Sequence, residues 1–223
     1  MAKGFFQNFP TMMYDVEGNG QYRQVIDIFR RVSLRNNLKD HIQVYNMQNI
    51  DGTQKPERLA EQVHGDPHRN WIVMMMNDIE NPFVDWYMSE SEFWVFMETK
   101  YPNKAITLVD TLPSTSIYLS GEGLVGISGV EVVKFNATLK TLVYTGGDIQ
   151  SGVSIIGTVS HANGTSDTIF TSEMHAPHHK DSDGNVVSNW DYEYSLNEEK
   201  SQVSVLNNNY TVVVEDEFIK KIK

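Results

Sequence analysis

Residues 55–67 read Lys-Pro-Glu-Arg-Leu-Ala-Glu-Gln-Val-His-Gly-Asp-Pro, and they give the clearest prediction of local structure in the chain. Pro56 suits the first position of a helix, because its missing N–H would have no partner there. Glu57 complements the helix dipole in the first turn, and Gly65 suits the helix end. The apolar residues that share one face are Leu59, Ala60 and Val63. The stretch therefore predicts a short amphipathic helix with both ends specified.

Working outward, Asp66 and Pro67 predict the start of a second helix, with Asp66 as its N-cap. The residues of this helix available for burial are Trp71, Met74 and Met75. A strand is predicted before the first helix, at Ile42, Val44 and Tyr45. A third helix is predicted after the Asn81-Pro82 break, from Ser89 or Ser91 to Tyr101, with apolar residues Phe93, Trp94, Phe96 and Met97.

The residues that precede the predicted strand at Ile42 show two other patterns. Phe5 to Val16 is aromatic and apolar without a period, which predicts an extended arm that becomes ordered only by packing on its own domain or on a partner. Asp27 is followed by Ile-Phe-Arg-Arg, and this pattern predicts a short helix with Asp27 at its N-cap.

From Thr107 the pattern changes to β-rich runs separated by glycines, which predicts a small antiparallel sheet or barrel. Asp183-Gly-Asn is a hairpin turn signal. Tyr192 with Tyr194, and Val203 with Val205, then predict a further pair of strands. Residues 210–222 favour a terminal helix, although Val212-Val-Val is also compatible with a strand.

Composition excludes several classes of protein. The chain has 223 residues, no cysteine and a formal net charge of −11, which argues against disulfides, cysteine-ligated zinc and a surface that binds nucleic acid throughout. No signal peptide and no membrane span is expected, because no apolar run reaches the required length. All six arginines precede residue 70, and residues 105–223 carry 15 acidic and 7 basic residues.

A set of short motifs in fixed order carries a family resemblance: Phe5-Phe6, Phe9-Pro10, Tyr14-Asp15, Val25 to Arg31, Asp51-Gly52, Pro56-Glu57, Leu59-Ala60, His64 to Pro67, Trp71, Asn77-Asp78, Pro82, Asp85-Trp86 and Lys100-Tyr101. Together they resemble the baseplate wedge proteins of contractile-tailed, T-even-like phages, the gene product 53 family. The resemblance resumes at His178-His179, Asp183-Gly-Asn, Tyr192-Glu-Tyr, Leu196-Asn-Glu and Val203 to Leu206. Residues 42–78 also resemble a LysM-like βααβ unit.

The resemblance implies an α+β fold with three parts. Residues 1–104 form the N-terminal arm and the LysM-like core, residues 105–172 an inserted Gly-rich β domain, and residues 173–223 a C-terminal hairpin and terminal segment that complete the core. The usual Gly-Asp-Thr-Leu entry of sugar-binding LysM units is replaced here by Thr53-Gln54-Lys55-Pro56, which argues against glycan binding.

The resemblance also implies a structural, non-enzymatic role in the virion. The protein is expected in the tail baseplate, assembled in the host bacterial cytoplasm in six copies. Its expected partners are other wedge proteins and sheath-initiating tail proteins, with no nucleic acid, membrane, cofactor or small-molecule substrate. The alternatives are a LysM-type peptidoglycan-binding virion protein and a metal-dependent enzyme.

The candidate functional residues are aromatic and basic side chains of the N-terminal segment, because Trp, Tyr, Met and Arg are enriched at protein interfaces. They are Phe5, Phe6, Phe9, Tyr14, Arg23, Phe29, Arg30, Arg31 and Arg35. Trp71, Trp86 and Trp94 are expected in the core rather than stacked on a ligand.

The strongest metal candidate is the cluster of His175, His178 and His179 near Asp181 and Asp183. In a strand, however, His178 and His179 would point to opposite faces, which favours a purely structural role. Asp181-Ser-Asp-Gly-Asn lacks the glycine and glutamate positions of a calcium loop, and Gly65 and Pro67 separate His64 from His68. Glu90, Glu92 and Glu98 favour a helix N-terminus over a pair of glycosidase carboxylates.

Overall fold

The computed structural model describes residues 5–30, 45–109 and 117–206. Within these residues the helices are α1 Pro56–His64, α2 Asn70–Met76, α3 Glu90–Lys100 and α4 Asn189–Glu199. The strands are β1 Thr11–Tyr14, β2 Arg23–Ile26, β3 Tyr45–Asn49, β4 Lys104–Val109, β5 Gly123–Leu124, β6 Ile127–Asn136, β7 Thr141–Gly146, β8 Ser154–Ile156, β9 Asn163–Phe170, β10 Pro177–Lys180, β11 Val186–Ser188 and β12 Gln202–Leu206. Short 3-10 segments lie at Phe5–Asn8, Pro67–Arg69 and Glu173–His175. The fold is α+β with antiparallel sheets, as predicted.

The chain divides into two compact units. Unit 1 comprises residues 1–89 and 198–223, and unit 2 comprises residues 90–197. These limits place α3 with unit 2. The three-part domain division made from the sequence stays a prediction.

The helical core of unit 1 forms as the local sequence predicts. α1 begins at Pro56 and ends at Gly65, which adopts the left-handed conformation with φ +68°. Asp66 accepts a hydrogen bond from the backbone N–H of His68, so it caps the turn that leads into α2. The buried residues of α2 are Ile72, Val73 and Met76, whereas the predicted Trp71, Met74 and Met75 are only half-buried.

Two strands that are distant in sequence complete this core. β3 pairs antiparallel with β12, which brings Val203 and Val205 against Leu59, Val73 and Trp86. The outer edge of β12 is covered by a side chain rather than by a strand. Asn77 donates to the Ser204 carbonyl at 2.9 Å and accepts from the Ser204 N–H at 2.7 Å. Val203 and Val205 are therefore in a strand, as predicted.

Unit 2 contains a six-stranded antiparallel sheet in the order β5-β6-β7-β4-β9-β8. Its two edge strands also meet, because Leu124 bridges Gly157, and Val125 N–H donates to Ile156 O at 2.8 Å. The sheet thus closes into a small barrel, which leaves β5 and β8 without free edges. The interior is filled by apolar side chains, among them Ile106, Leu108, Tyr118, Leu124, Val132, Leu142, Tyr144 and Ile155. Either a sheet or a barrel was predicted, and the barrel is what forms.

Beside the barrel, β10 and β11 form the predicted hairpin around Gly184, which has φ +86°. The prediction of a strand at Tyr192 and Tyr194 is wrong, because both residues lie in α4. Ser188 accepts a hydrogen bond from the Asp191 N–H and donates to the Asp191 carboxylate, which stabilises the first turn of this helix. The residues that α4 buries are all polar: Asn189, Glu193 and Asn197.

Two further predictions concern the N-terminal segment, and two others fall wholly or partly outside the described residues. The arm is a 3-10 segment followed by the β1–β2 hairpin, not a single extended segment. Residues 28 and 29 form a turn and not a helix, and the Asp27 carboxylate accepts hydrogen bonds from Phe29 N–H and Arg30 Nε beside it. Residues 210–222 lie outside the described residues, as do Ile42 and Val44. No helix in the described ranges is long and apolar enough to span a bilayer.

Candidate interaction surface

The N-terminal hairpin has an ordered tip. The Asp15 carboxylate accepts hydrogen bonds from the backbone N–H groups of Asn19 at 3.2 Å and Gly20 at 2.6 Å. The Gly20 hydrogen bond is the main reason that the pKa of Asp15 is held below its ordinary value. Gly18 and Gly20 both have positive φ, which lets the chain turn back within this loop. The tip therefore has a defined shape.

An aromatic cluster attaches the base of the hairpin to the helices of unit 1. The Phe5 ring lies 5.2 Å from the Trp71 ring and 4.9 Å from the Phe9 ring, measured between centroids. Phe9 is buried, with 8% of its surface exposed, and Phe6 packs against both phenylalanines while staying partly exposed. Of the four predicted interface phenylalanines, Phe5 and Phe9 are thus largely engaged inside the chain.

Beyond this cluster the hairpin exposes large apolar side chains to solvent. Of the predicted interface residues, Tyr14 is about half exposed and Phe29 is 81% exposed. The segment also exposes apolar side chains that were not predicted as interface residues, namely Met13, Val16, Tyr22, Ile26 and Ile28. The sequence predicted an arm and a short helix here, so this exposure became clear only with the hairpin, which has too few apolar residues to cover its own faces. An exposed apolar surface of this kind is typical of protein interaction sites.

The predicted arginines of the hairpin lie beside carboxylates of the same segment. Arg23 is 3.6 Å from Glu17, and Arg30 Nε donates to Asp27 at 3.3 Å. Both pairs are close in sequence, so they neutralise charge within the hairpin itself. Arg31 and Arg35 lie outside the described residues. The surface that remains is mainly apolar, with little net charge.

The predicted histidine cluster does not converge on one point. His175 stacks on Trp190, His179 stacks on Tyr192 at 3.9 Å, and His178 Nδ1 lies 3.4 Å from Asn189 Nδ2. Burial lowers the pKa of His178, which favours its neutral form. Within the described residues, no three His, Asp or Glu side chains are grouped to hold a metal ion.

The nearby acidic residues are occupied by the local fold. The Asp181 carboxylate accepts hydrogen bonds from the side chain and backbone of Asn185 and from the backbone of Asp183. These bonds hold the pKa of Asp181 below its ordinary value, with the Asn185 side chain as the largest cause. The carboxylate therefore caps the β10–β11 turn.

The tryptophans, His64 and the glutamates singled out from the sequence are spread over several elements. Trp86 is buried, Trp71 is half-buried and Trp94 is 40% exposed on α3, so the expectation of a core position holds fully only for Trp86. His64 lies at the end of α1, and burial lowers its pKa. The exposed carboxylates of α3 are Glu90, Glu92 and Glu98.

These features define an α+β protein whose N-terminal part carries an ordered hairpin with exposed apolar side chains. Residues 1–106, which contain this hairpin, match the family model described as base plate wedge protein 53. The chain is also similar to the baseplate wedge protein gp53 of Enterobacteria phage T4, with 29% identity over 103 residues. That alignment covers 46% of this chain and 46% of the phage T4 protein, so it spans less than half of that relative.

Over residues 1–106 the chain therefore resembles the base plate wedge protein 53 family. The resemblance predicted from the short motifs of the sequence is confirmed over these residues.

Proposed function

We propose that this protein is a structural, non-enzymatic subunit of a phage tail baseplate wedge. The observation that carries the proposal is the exposed apolar surface of the β1–β2 hairpin, which lies in the family-matched part of the chain. Such a surface gains free energy when a partner covers it, at roughly 25 cal/mol for each Å² of apolar area removed from water. The hairpin would thus bind neighbouring wedge proteins in the tail baseplate.

The proposed partners are other baseplate wedge proteins and the proteins that initiate the sheath, with six copies of this chain in each baseplate. In this proposal the chain joins wedge proteins and neighbouring wedges around the hub, and it is incorporated in the host cytoplasm. Tyr14 and Phe29 are proposed as contact residues together with Arg23 and Arg30. Phe5 and Phe9 act instead by fixing the hairpin to Trp71.

We further propose that β3, α1, α2 and β12 form a LysM-like βααβ unit whose last strand comes from the far end of the chain. Support comes from the antiparallel pairing of β3 with β12 and from the core that both strands share with α1 and α2. In this reading the C-terminal part of the chain completes a core that begins in residues 1–104.

The proposal can be tested by incorporation into particles of the phage that encodes the chain. The variant Tyr14→Ser/Tyr22→Ser/Phe29→Ser changes only exposed side chains, so the chain should keep its fold while its amount in purified tails falls at least tenfold, since interface aromatics are frequent hot spots. Deletion of residues 1–20 is a less specific test, because it also removes the contact of Phe5 with Trp71.

A matched control is Ile117→Ser/Val125→Ser/Val159→Ser, which changes three exposed apolar residues of unit 2. This variant should enter tails at the wild-type level. Equal incorporation of the hairpin variant and the control would contradict the role of the hairpin. Retention of the pure protein on peptidoglycan would favour the LysM-type binding alternative instead.

A further inference from the structure

The segment between α2 and α3 displays a single phenylalanine to solvent. Phe83 has 88% of its surface exposed, the largest fraction among the described large hydrophobic side chains. The residue follows Pro82 in the sequence Asn81-Pro-Phe-Val-Asp85. A lone apolar side chain on a surface is ordinary, but this one lies on a segment whose backbone is held by several hydrogen bonds.

Hydrogen bonds within the segment hold the turn that carries Phe83. The Asn81 side-chain oxygen accepts from Phe83 N–H at 3.1 Å, and the Asn81 carbonyl accepts from the N–H groups of Val84 at 3.0 Å and Asp85 at 2.8 Å. The Asp85 carboxylate in turn accepts from Glu80 N–H at 3.2 Å and Asn81 N–H at 2.8 Å. Pro82 adds a fixed φ to the same turn.

The segment is also attached to the rest of unit 1. Trp86 follows directly and is buried in the core with Leu59 and Val203, and its Nε1 donates to the Gln54 carbonyl at 2.8 Å. Lys200 donates to the Val84 carbonyl at 2.8 Å. Because the backbone is already ordered in the free protein, a partner that binds Phe83 loses little conformational entropy in doing so.

The charge around Phe83 restricts the partner. Glu80 and Asp85 flank the residue, and Lys200 is the cation that reaches the segment. The acidic residues beside Phe83 disfavour phosphate-bearing ligands and favour a partner surface with basic residues. A second copy of this chain is also disfavoured, because each copy has a formal net charge of −11.

We propose that Phe83 is a preformed anchor that inserts into an apolar pocket, rimmed by Lys or Arg, on a protein other than this chain. This proposal rests on the proposed function, because it assumes that the partner is another component of the tail. It adds a second contact point that is separate in sequence from the β1–β2 hairpin. Aromatic anchors in preformed pockets are the residues on which binding energy concentrates.

The first test is site-specific photocrosslinking in assembled tails. The full chain carries p-benzoylphenylalanine in place of Phe83, and a control carries it in place of the exposed Val159 of unit 2. The expected result is a crosslink from position 83 to one peptide of a different tail protein that contains apolar residues and at least one Lys or Arg. A crosslink to a second copy of this chain, or none above the Val159 control, would overturn the proposal.

The second test is competition between variant and wild-type chains expressed together. Phe83→Ala should be incorporated at roughly one-thirtieth of the wild-type level or less, and Glu80→Lys should be reduced as well, because it reverses the charge beside the pocket. Val159→Ala should compete equally. Incorporation of Phe83→Ala at the wild-type level would overturn the proposal.

The two proposals fail in distinguishable ways. If the wild-type chain itself is absent from purified tails, the proposed function fails and the anchor fails with it. If the wild-type chain is present and the hairpin variant is excluded, but Phe83→Ala competes equally, only the anchor is overturned. Unfolding of Phe83→Ala in urea should match the wild type, which separates binding from folding.

Discussion

At the scale of single residues, Glu122 shows how a buried charge can stabilise the barrel. Its carboxylate is 4% exposed and accepts hydrogen bonds from the backbone N–H groups of Leu119, Val159 and Ser160 and from the Ser160 hydroxyl. Gly157 lies beside it, and a Cβ there would come within 2.6 Å of the carboxylate oxygen. The side chain therefore fastens two loops at the place where β5 meets β8.

The charge of Glu122 should make the stability of the barrel sensitive to acid. Burial alone raises the pKa of Glu122, but the hydrogen bonds from Ser160, Leu119 and Val159 outweigh it, so the pKa lies below its ordinary value. A lowered pKa in the folded state means that the stabilisation is complete above the unfolded pKa of about 4.3 and is lost as the pH falls through the folded pKa. Stability should thus decline with acid below about pH 5.

We predict that Glu122→Gln lowers the free energy of unfolding by about 2–4 kcal/mol at neutral pH. The side-chain N–H₂ of glutamine is a donor, and it would face N–H donors from which the carboxylate oxygen now accepts hydrogen bonds. Urea unfolding at neutral and at acidic pH measures this loss of stability. The decline of stability with falling pH should be weaker in the variant than in the wild type. The exposed Glu131→Gln is the matched control, with an expected change within about 0.5 kcal/mol. A variant as stable as the wild type at neutral pH would contradict this role.

At the scale of elements, β12 depends on contacts that its own sequence does not contain. One edge pairs with β3, and the other is satisfied by the Asn77 side chain, which bonds both backbone groups of Ser204. Asn77 also donates to the Val73 carbonyl at 2.8 Å, so it ties the end of α2 to the strand. Each of these bonds contributes about 1 kcal/mol, and losing the side chain also leaves backbone groups without partners.

We predict that Asn77→Ala lowers the free energy of unfolding by about 2–3 kcal/mol and speeds hydrogen exchange of the Ser204 amide. The control is Asn49→Ala, which changes an exposed residue of β3 and should cost little. Unchanged exchange at Ser204 in Asn77→Ala would show that the strand is held by β3 alone.

The elements also show why some sequence predictions succeeded and others did not. α1 was predictable because Pro56 and Gly65 specify its ends locally. The alternation of Tyr192 and Tyr194 suggested a strand, yet α4 forms there. Ser188 and Asp191 cap that helix, and Lys100 and Tyr101 both donate to Glu193 on its buried side. A polar buried face of this kind hides the helical period that apolar residues usually reveal.

At the scale of the whole molecule, the two units differ in how the chain builds them. Unit 2 is one continuous stretch, residues 90–197, whereas unit 1 takes residues from both ends of the chain. Unit 2 also contains the barrel and its own apolar interior. A continuous chain with its own core is what independent folding requires.

We therefore predict that residues 90–197 fold when expressed alone. Near-ultraviolet circular dichroism should show ordered aromatic side chains, and urea should unfold the fragment in one cooperative transition. Gly146→Ala in the same fragment is the negative control, because a Cβ there would lie 1.8 Å from the Gly129 carbonyl oxygen. A fragment without a cooperative transition would show that unit 2 needs residues outside 90–197.

The amino-acid sequence was enough to predict the resemblance to the wedge protein family, the α+β class, the ends of α1, the Asp66 cap and the β10–β11 turn. Each of these depends on residues that are neighbours in the chain or on a fixed order of short motifs. The tertiary structure was needed to show that β3 pairs with β12, that β5 meets β8, and that Asn77 bonds Ser204. These features depend on contacts between residues far apart in sequence. Local propensity does not specify which distant backbone groups will form hydrogen bonds with one another.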